Sequence, residues 1–472
     1  VFVVACALLG YDLGKTGLAQ AYIDPVAHIR AQDEAVYAST SLHMAEQGGW
    51  LTPMLLGRYA FYKPPLLYWV SGFAARCFRG SEWALRLPSL LAAAAIVTIL
   101  FGWIWRDQSL LRAAAACALL ISDRLFHTLA HLALTDMLVV LWIVIAMAAV
   151  HSDPALERRR SLWIFGAAVG LAILTKSLAG LLPLMMLAGS RAGVRRFVQV
   201  CGIAALVAAP WHVYQLIVHT RWFWAEYVLT ENFKWAVAAP SQSTAENPLL
   251  YYPKRLALGN PALCVAALLG IPAAIRARDR LLAAWVCVVL LALFAFGYHN
   301  TSYLLMLIPA LCLLAARAPW PVAFMACAML WFPMPDPPPL PSVPELKAYA
   351  ALHRPNDLII VSPEDQFVSA TLPIRHVHYV FFNAHPDAVR LPLDFRYLGI
   401  SMTVDEYNSP ERTIYQRRLA EFGLPSLAPI ATQIIAQNAD DVRALMAAHP
   451  EADFSLPAGW DGAPQRVMLL AH

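Results

Sequence analysis

Residues 33–69 read DEAVYASTSLHMAEQGGWLTPMLLGRYAFYKPPLLYW, a long polar stretch inside a strongly apolar N-terminal half. It opens on paired carboxylates, Asp33 and Glu34, and closes on Lys63 ahead of the stiffening pair Pro64 and Pro65. Between them lies an amphipathic run from Tyr37 to Met44, while Trp50, Tyr68 and Trp69 carry rings that favour a membrane interface. The stretch reads as the heart of an active-site loop, 24–80, lying on a bilayer surface.

The surrounding chain supplies the bilayer. Of 472 residues, 59% are hydrophobic and only 14% charged, and the mean hydropathy is +0.54. A soluble globular protein of this length carries far more charge, so the chain reads as an α-helical polytopic membrane protein. Seven cysteines, among them Cys117 and Cys312, fall in apolar runs and only Cys77 lies near a loop, which points to small core residues and not to a disulfide framework. Val1 to Gly10 is apolar but shorter than the roughly 20 residues a span needs, so the chain is expected to begin inside its first span. A cleaved signal peptide is not expected, since this apolar run shows no charged n-region.

Apolar runs suited to spans lie near 86–105, 110–130, 136–150, 161–175, 178–190, 197–218, 261–275, 281–297, 302–316 and 319–333. With the partial first run they give about eleven spans. Threading the chain back and forth sorts the loops into two sets. Arg106 with Arg112, the run Glu157 to Arg160, Arg191 with Arg195 and Arg196, the run Arg276 to Arg280, and Arg317 share one side, which the positive-inside rule makes cytoplasmic. The outer side then receives Asp33, Glu34, Lys63, Asp136, Lys176 and His299. Lys63 and Lys176 are cations on the face where that rule disfavours them, and Lys176 interrupts the apolar stretch GLAILTKSLAGLLPLMM. One such lysine reads equally well as a side chain snorkelling to the interface; two facing a loop of carboxylates favour a site.

After Phe332 the composition changes. PMPDPPPLPSVPE reads as an extended proline-rich linker centred on 336–344, dividing a membrane domain, 1–335, from a small α/β extramembrane domain, 345–472. Strands are expected at 358–361 and 377–382, and helices at 345–353, 410–422 and 441–448.

Other constellations are weaker. Asp136 follows Thr135 at the head of an apolar run, where helix capping alone explains it. Asp123, His127 and His131 are spaced to share one helical face, the arrangement of either a divalent-metal or anion site or an interfacial polar stripe. His212 reads as a hydrogen-bonded histidine within a helix, and Glu231 to Trp235 as an interfacial loop. A Gly-rich nucleotide loop is absent from the sequence, and no nucleic-acid partner is expected.

Taken in order, DEAVYA, GGWLTPMLLGRYAFYKPPLLYW, EWALRLPSLL, LALTDM, LAILTKS, APWHV and HNTSYLLMLIPAL resemble the GT-C membrane glycosyltransferases related to protein O-mannosyltransferases and the lipid A aminoarabinose transferases, over residues 33 to about 316. The resemblance implies transfer of a sugar from a polyprenyl-phosphate carrier to an acceptor on the outer membrane face, be it lipid A, another glycolipid or a protein. It implies Asp33 as the loop carboxylate at the catalytic centre, with Glu34 beside it and Asp136 as the carboxylate that begins a later span. Lys63 and Lys176 match the lysines that handle the donor phosphate; Tyr37, His131, His299 and Tyr303 are candidates for substrate contact. Two positions depart from the aminoarabinose pattern: Val36 stands where that pattern has arginine, and Tyr62 where it has glutamate before the KPP lysine. These departures argue against aminoarabinose as the sugar and against a metal held at position 62. Arg58, or the His127 and His131 stripe, is the candidate to replace the missing phosphate contact. The rival is a transporter or flippase of lipid-linked sugars, which would place ionisable groups on broken helices near the midplane and often shows internal repeats; the sequence displays neither.

Overall fold

The computed structural model describes residues 1–11, 13, 32–55, 58–78, 82–234, 248–296 and 299–330, together with six short strands between 358 and 471. Among these residues four helical runs are long and apolar enough to cross a membrane: Trp83–Asp107, Thr135–Ser152, Arg159–Gly189 and Val194–Val218. They become six when two bent pairs are each taken as one span. Shorter apolar helices, Arg280–Ala295 and Pro321–Leu330, add to the bundle. The helices are labelled α1 (Phe2–Gly10), α2 (Gln32–Gln47), α3 (Leu66–Cys77), α4 (Glu82–Asp107), α5 (Leu110–Ile121), α6 (Arg124–Ala130), α7 (Thr135–Ser152), α8 (Arg159–Lys176), α9 (Leu182–Met186), α10 (Val194–Val218), α11 (Thr220–Phe223), α12 (Pro248–Gly259), α13 (Pro261–Arg276), α14 (Arg280–Ala295), α15 (Ile308–Ala315) and α16 (Pro321–Leu330).

The run Arg159–Gly189 is helical nearly throughout, yet it is not one crossing. Ser177 adopts φ 46°, which turns the chain after Lys176. A Cβ on Gly180 would lie 2.3 Å from the Ile173 nitrogen, so the following 3₁₀ turn, Ser177–Leu181, presses directly on α8. The Arg191 N–H then donates to the Pro154 carbonyl at 2.9 Å, and the Arg196 guanidinium reaches the Glu157 carbonyl at 3.5 Å. The chain has therefore returned to the end at which α8 began, and Lys176 stands at the tip of a helical hairpin. Gly180→Ala is expected to overpack this tip by about 1–3 kcal/mol and to lower the thermal unfolding midpoint in detergent.

The arginine-rich loops gather at one end of the bundle. Arg112 donates to the carbonyls of Ala316 and Ala318 at 2.7 and 2.8 Å, Arg317 pairs with Asp279 at 2.5 Å, and His151 lies 2.7 Å from Asp107. His151 and Asp136 stand near opposite ends of the eighteen-residue α7, fifteen residues or about 22 Å apart at 1.5 Å per residue.

Two expectations need correction. The apolar run 110–130 is not a straight span: α5 and α6 meet at 70°, and α12 meets α13 at 110°. The cause is local recapping. Asp123 accepts the Phe126 N–H at 2.9 Å and so starts a new helix, as Asn260 does for Leu263. The Asn260 amide also donates to the Leu119 carbonyl at 2.9 Å, satisfying a backbone group that the bend releases inside an apolar bundle. The polar stretch at 33–69, expected as a loop, opens instead with the sixteen-residue helix α2. Asp33 and Glu34 sit in its first turn, where acidic side chains complement the helix dipole, and Gly48 and Gly49 end it with φ 83° and 74°. A short antiparallel pair follows, β1 (Met54–Leu55) with β2 (Arg58–Tyr59).

Beyond the membrane bundle, β3 (Leu358–Val361) pairs in parallel with β6 (Thr432–Ala436). β6 in turn runs antiparallel to β8 (Val467–Ala471), which pairs with β7 (Phe454–Ser455). β4 (Leu393–Phe395) and β5 (Ile400–Met402) form a separate pair. The expected strand at 358–361 is present. The expected linker at 336–344, the strand at 377–382 and the helices at 345–353, 410–422 and 441–448 lie outside the described residues.

Candidate active site

At the end of the bundle opposite the arginines, five separate segments deliver charged side chains to one place. Lys63 reaches it from the turn before α3, which Pro64 and Pro65 hold stiff, and its Nζ lies 2.8 Å from Glu231 Oε2. Lys176 reaches it from the tip of the helical hairpin and bonds Asp136 Oδ1 at 2.6 Å. The Lys176 ammonium also stands 5.0 Å from the centroid of the Tyr303 ring, within cation–π range. Asp33 enters from the first turn of α2 and lies in the field of Lys63, Glu231, Asp136 and Lys176, in decreasing order of effect.

The Asp33 side chain keeps access to solvent, but protein crowds around it on the remaining sides. That desolvation pushes its carboxyl above the ordinary range, helped by Glu231 and Asp136 and opposed by Lys63 and Lys176. For Lys63 desolvation works downward, and the attraction of Glu231, then Asp33 and Asp136, outweighs it, so the ammonium holds its proton above the usual value. The arrangement is two cations and three carboxylates around a partly open space.

Asp136 does not cap α7. The N-cap position is Leu134, and the Asp136 carboxylate is committed to Lys176. Glu34 is nearly fully buried: Arg86 grips it with Nε at 2.8 Å and Nη2 at 3.0 Å, and the Ala133 N–H donates to it at 2.8 Å. Glu34 thus faces Arg86 and the chain ahead of α7. Tyr37 is buried with its ring 6.0 Å from that of Tyr68. His131 closes α6, its Nδ1 2.8 Å from the His127 carbonyl and its ring 4.5 Å from the His127 ring. His299 is buried between Tyr251 and Tyr252, at ring distances of 5.9 and 5.7 Å. Arg58 lies in β2, and its side chain is outside the described residues.

The expected Asp123, His127 and His131 stripe does not form a ligand set on one helix, because Asp123 is the cap that begins α6 and His131 the residue that ends it. Among the described residues no group of three or more His, Cys, Asp or Glu side chains is placed to hold a metal ion. His212 is hydrogen-bonded as expected, to the Ala208 carbonyl and the Tyr227 hydroxyl, both at 2.8 Å.

Glu231 escaped the reading of the sequence, which took residues 231–235 as merely interfacial. It lies on a π-helix, Trp224–Lys234, and such segments are rare and recur at functional sites.

Comparison with known proteins adds to this picture. Residues 30–240 match the family described as dolichyl-phosphate-mannose-protein mannosyltransferase. The undecaprenyl phosphate-alpha-4-amino-4-deoxy-L-arabinose arabinosyl transferase of Pseudomonas aeruginosa is 31% identical over 219 residues, covering 42% of this chain and 39% of that protein. Its counterpart in Erwinia tasmaniensis is 26% identical over 243 residues, 48% of this chain and 43% of the other. The match thus spans about two-fifths of each relative. Among solved structures, ArnT from Cupriavidus metallidurans bound to undecaprenyl phosphate superimposes with a TM-score of 0.70 at 16% identity, covering 100% of this chain and 97% of that one. The archaeal oligosaccharyltransferase AglB from Archaeoglobus fulgidus, in complex with an inhibitory peptide and a dolichol-phosphate, gives 0.53 at 11% identity, covering 100% and 73%. The fold is that of a GT-C multi-pass membrane protein, and the chain resembles the aminoarabinose and protein mannosyl transferases, as its motif order implied.

Proposed function

We propose that this protein transfers a hexosyl or pentosyl residue from a polyprenyl-phosphate carrier to an acceptor, lipid A, another glycolipid or a protein, on the periplasmic face of a bacterial inner membrane. The observation that carries the reading is the convergence of Lys63 and Lys176 on Asp33, at the end of the bundle opposite the arginine-rich loops. The positive-inside rule makes that end periplasmic. In this reading the acceptor oxygen attacks the anomeric carbon from the face opposite the phosphate, with inversion. The bond from that carbon to the phosphate oxygen breaks, its electron pair stays on the departing polyprenyl phosphate, and the acceptor proton passes to Asp33. Lys63 and Lys176 neutralise the charge that grows on the leaving phosphate, which fixed cations do better than water because they need no reorganisation. The polyprenyl tail lies along the apolar spans.

The proton-acceptor role fixes a pH dependence. A carboxyl raised above its ordinary value of about 3.9 stays protonated to a higher pH, so the acidic limb of kcat/KM is expected above that of a free aspartate, with activity lost as pH falls through it. Removing the cation that opposes the shift, with Lys63→Met, moves the limb to higher pH, as a pH–rate profile on the residual activity would read.

The bent spans favour one rival, a transporter of lipid-linked sugars, because broken helices build such sites. None of the charged residues lies on the α5/α6 or α12/α13 pair, which favours the transferase. Purified protein in detergent, given a polyprenyl-phosphate sugar and acceptor, decides between them. Release of polyprenyl phosphate with a glycosylated acceptor supports transfer; no consumption of donor without a sealed second compartment supports transport.

A further inference from the structure

Glu34 and Arg86 stay out of the charged cluster, yet they fix where its carboxylates stand. Both side chains are about 99% buried. The Arg86 fork holds both Glu34 oxygens, its Nη1 reaches the Leu13 carbonyl at 3.3 Å, and Glu34 Oε1 also receives the Ala133 N–H. One guanidinium on α4 therefore ties the first turn of α2 to the segment that starts α7. Asp33 is the neighbour of Glu34, and Asp136 lies three residues beyond Ala133.

We propose that Arg86, acting through Glu34, is a positioning residue that sets the separation and aim of Asp33 and Asp136 for the sugar transfer. The proposal rests on the transferase reading above. Asp33 and Asp136 lie in each other's field and raise each other's energy when both are ionised; left to themselves, the two helix starts that carry them would drift apart. A bidentate fork resists this in both distance and angle, which an ammonium at the same place does not. Buried ion pairs often can be exchanged for neutral side chains without loss of stability, so a pair retained here has its value in geometry. Displacement of a reacting group by 1 Å costs roughly 10²-fold in rate.

The test uses the full chain in detergent, with Arg86→Lys, which keeps the charge and loses the fork, and the neutral double variant Arg86→Met with Glu34→Gln. Each is compared with wild type for thermal midpoint, affinity for undecaprenyl phosphate, kcat, and the pH midpoint at which a carbodiimide labels Asp33, read by peptide mass spectrometry. Expected are an undecaprenyl phosphate affinity within about threefold of wild type, a kcat lower by about 10²-fold, and a labelling midpoint shifted down as Asp136 moves away. In an Asp33→Asn background the same changes should cost less than about threefold, because non-additivity marks residues that act as a unit. Unchanged kcat in a folded variant, or undecaprenyl phosphate affinity falling in parallel with kcat, overturns the proposal. Should the neutral pair fail to fold, Arg86→Lys decides by the same readouts. A wild type that transfers no sugar defeats the transferase reading, whereas an unmoved labelling midpoint defeats the positioning of Asp33 with or without activity.

Discussion

Asp33→Asn is expected to lower turnover by about 10²–10⁴-fold, the range that a positioned general base supplies, while leaving affinity for the polyprenyl-phosphate donor within a few-fold of wild type. The amide keeps the size of the carboxylate but accepts no proton at working pH. Donor affinity survives because Lys63 and Lys176 are untouched, and it should even rise slightly, since one of three carboxylates around the phosphate has been neutralised. The loss should depend on the acceptor. A hydroxyl must shed its proton as the new bond forms, whereas an ionised phosphoryl oxygen has none to shed and needs only to be oriented. Turnover measured with both acceptor types separates these roles. In cells, mass spectrometry of membrane lipids and envelope proteins should show one sugar vanishing from one lipid or protein class. Unchanged glycans with lipid-linked sugar building up on the cytoplasmic side would instead point to the transporter. Wild-type turnover in Asp33→Asn would remove the residue from the chemistry.

What the sequence made legible follows the physics of each element. The membrane class and the sorting of loops rest on summed apolarity and on where arginine accumulates, and both survive uncertainty about any one residue. The hairpin at Lys176 was legible because a lysine followed by serine cannot sit inside a continuous apolar helix, and the structure turns at Ser177. The bend at Asp123 was not, because 110–130 reads as one run and the break comes from a side chain that caps a new helix; Asn260 stands at the edge of the expected span 261–275, where a boundary is legible but its angle is not. Lys63 and Lys176 stand out in the sequence as cations on the disfavoured face, and Asp33 and Asp136 through the order of the motifs. Their mutual approach is long-range and belongs to the fold alone. The ion pair of Glu34 with Arg86, 52 residues apart in the chain, leaves no local trace in the sequence. Glu231 was hidden in a stretch whose aromatic neighbours read as interface.

The second large effect is expected at Lys63. Lys63→Ala should weaken donor binding by roughly 10–10²-fold, in line with about 1.5–3 kcal/mol for a hydrogen bond to a charged group, and more than the loss of one contact alone would produce. With all groups ionised, Asp33, Asp136 and Glu231 against Lys63 and Lys176 leave the site one negative charge in excess; without Lys63 the excess becomes two, and Glu231 is left facing the incoming phosphate unneutralised. Adding Glu231→Gln restores the charge balance but not the contact. The double variant should therefore regain part of the affinity and none of the turnover that depends on a cation at the leaving oxygen. Recovery of both would mean that Lys63 acts only through the general field. The same excess bears on release. The donor is a phosphodiester with one negative charge, whereas the product phosphate carries about −1.5 to −2 at neutral pH, so a site with surplus carboxylate holds the product less tightly than two lysines alone would. Glu231→Gln by itself should then bind polyprenyl phosphate more tightly and slow turnover at saturating donor, a burst of product followed by a slower steady rate. A burst-free time course with unchanged product affinity would confine Glu231 to holding Lys63 in place.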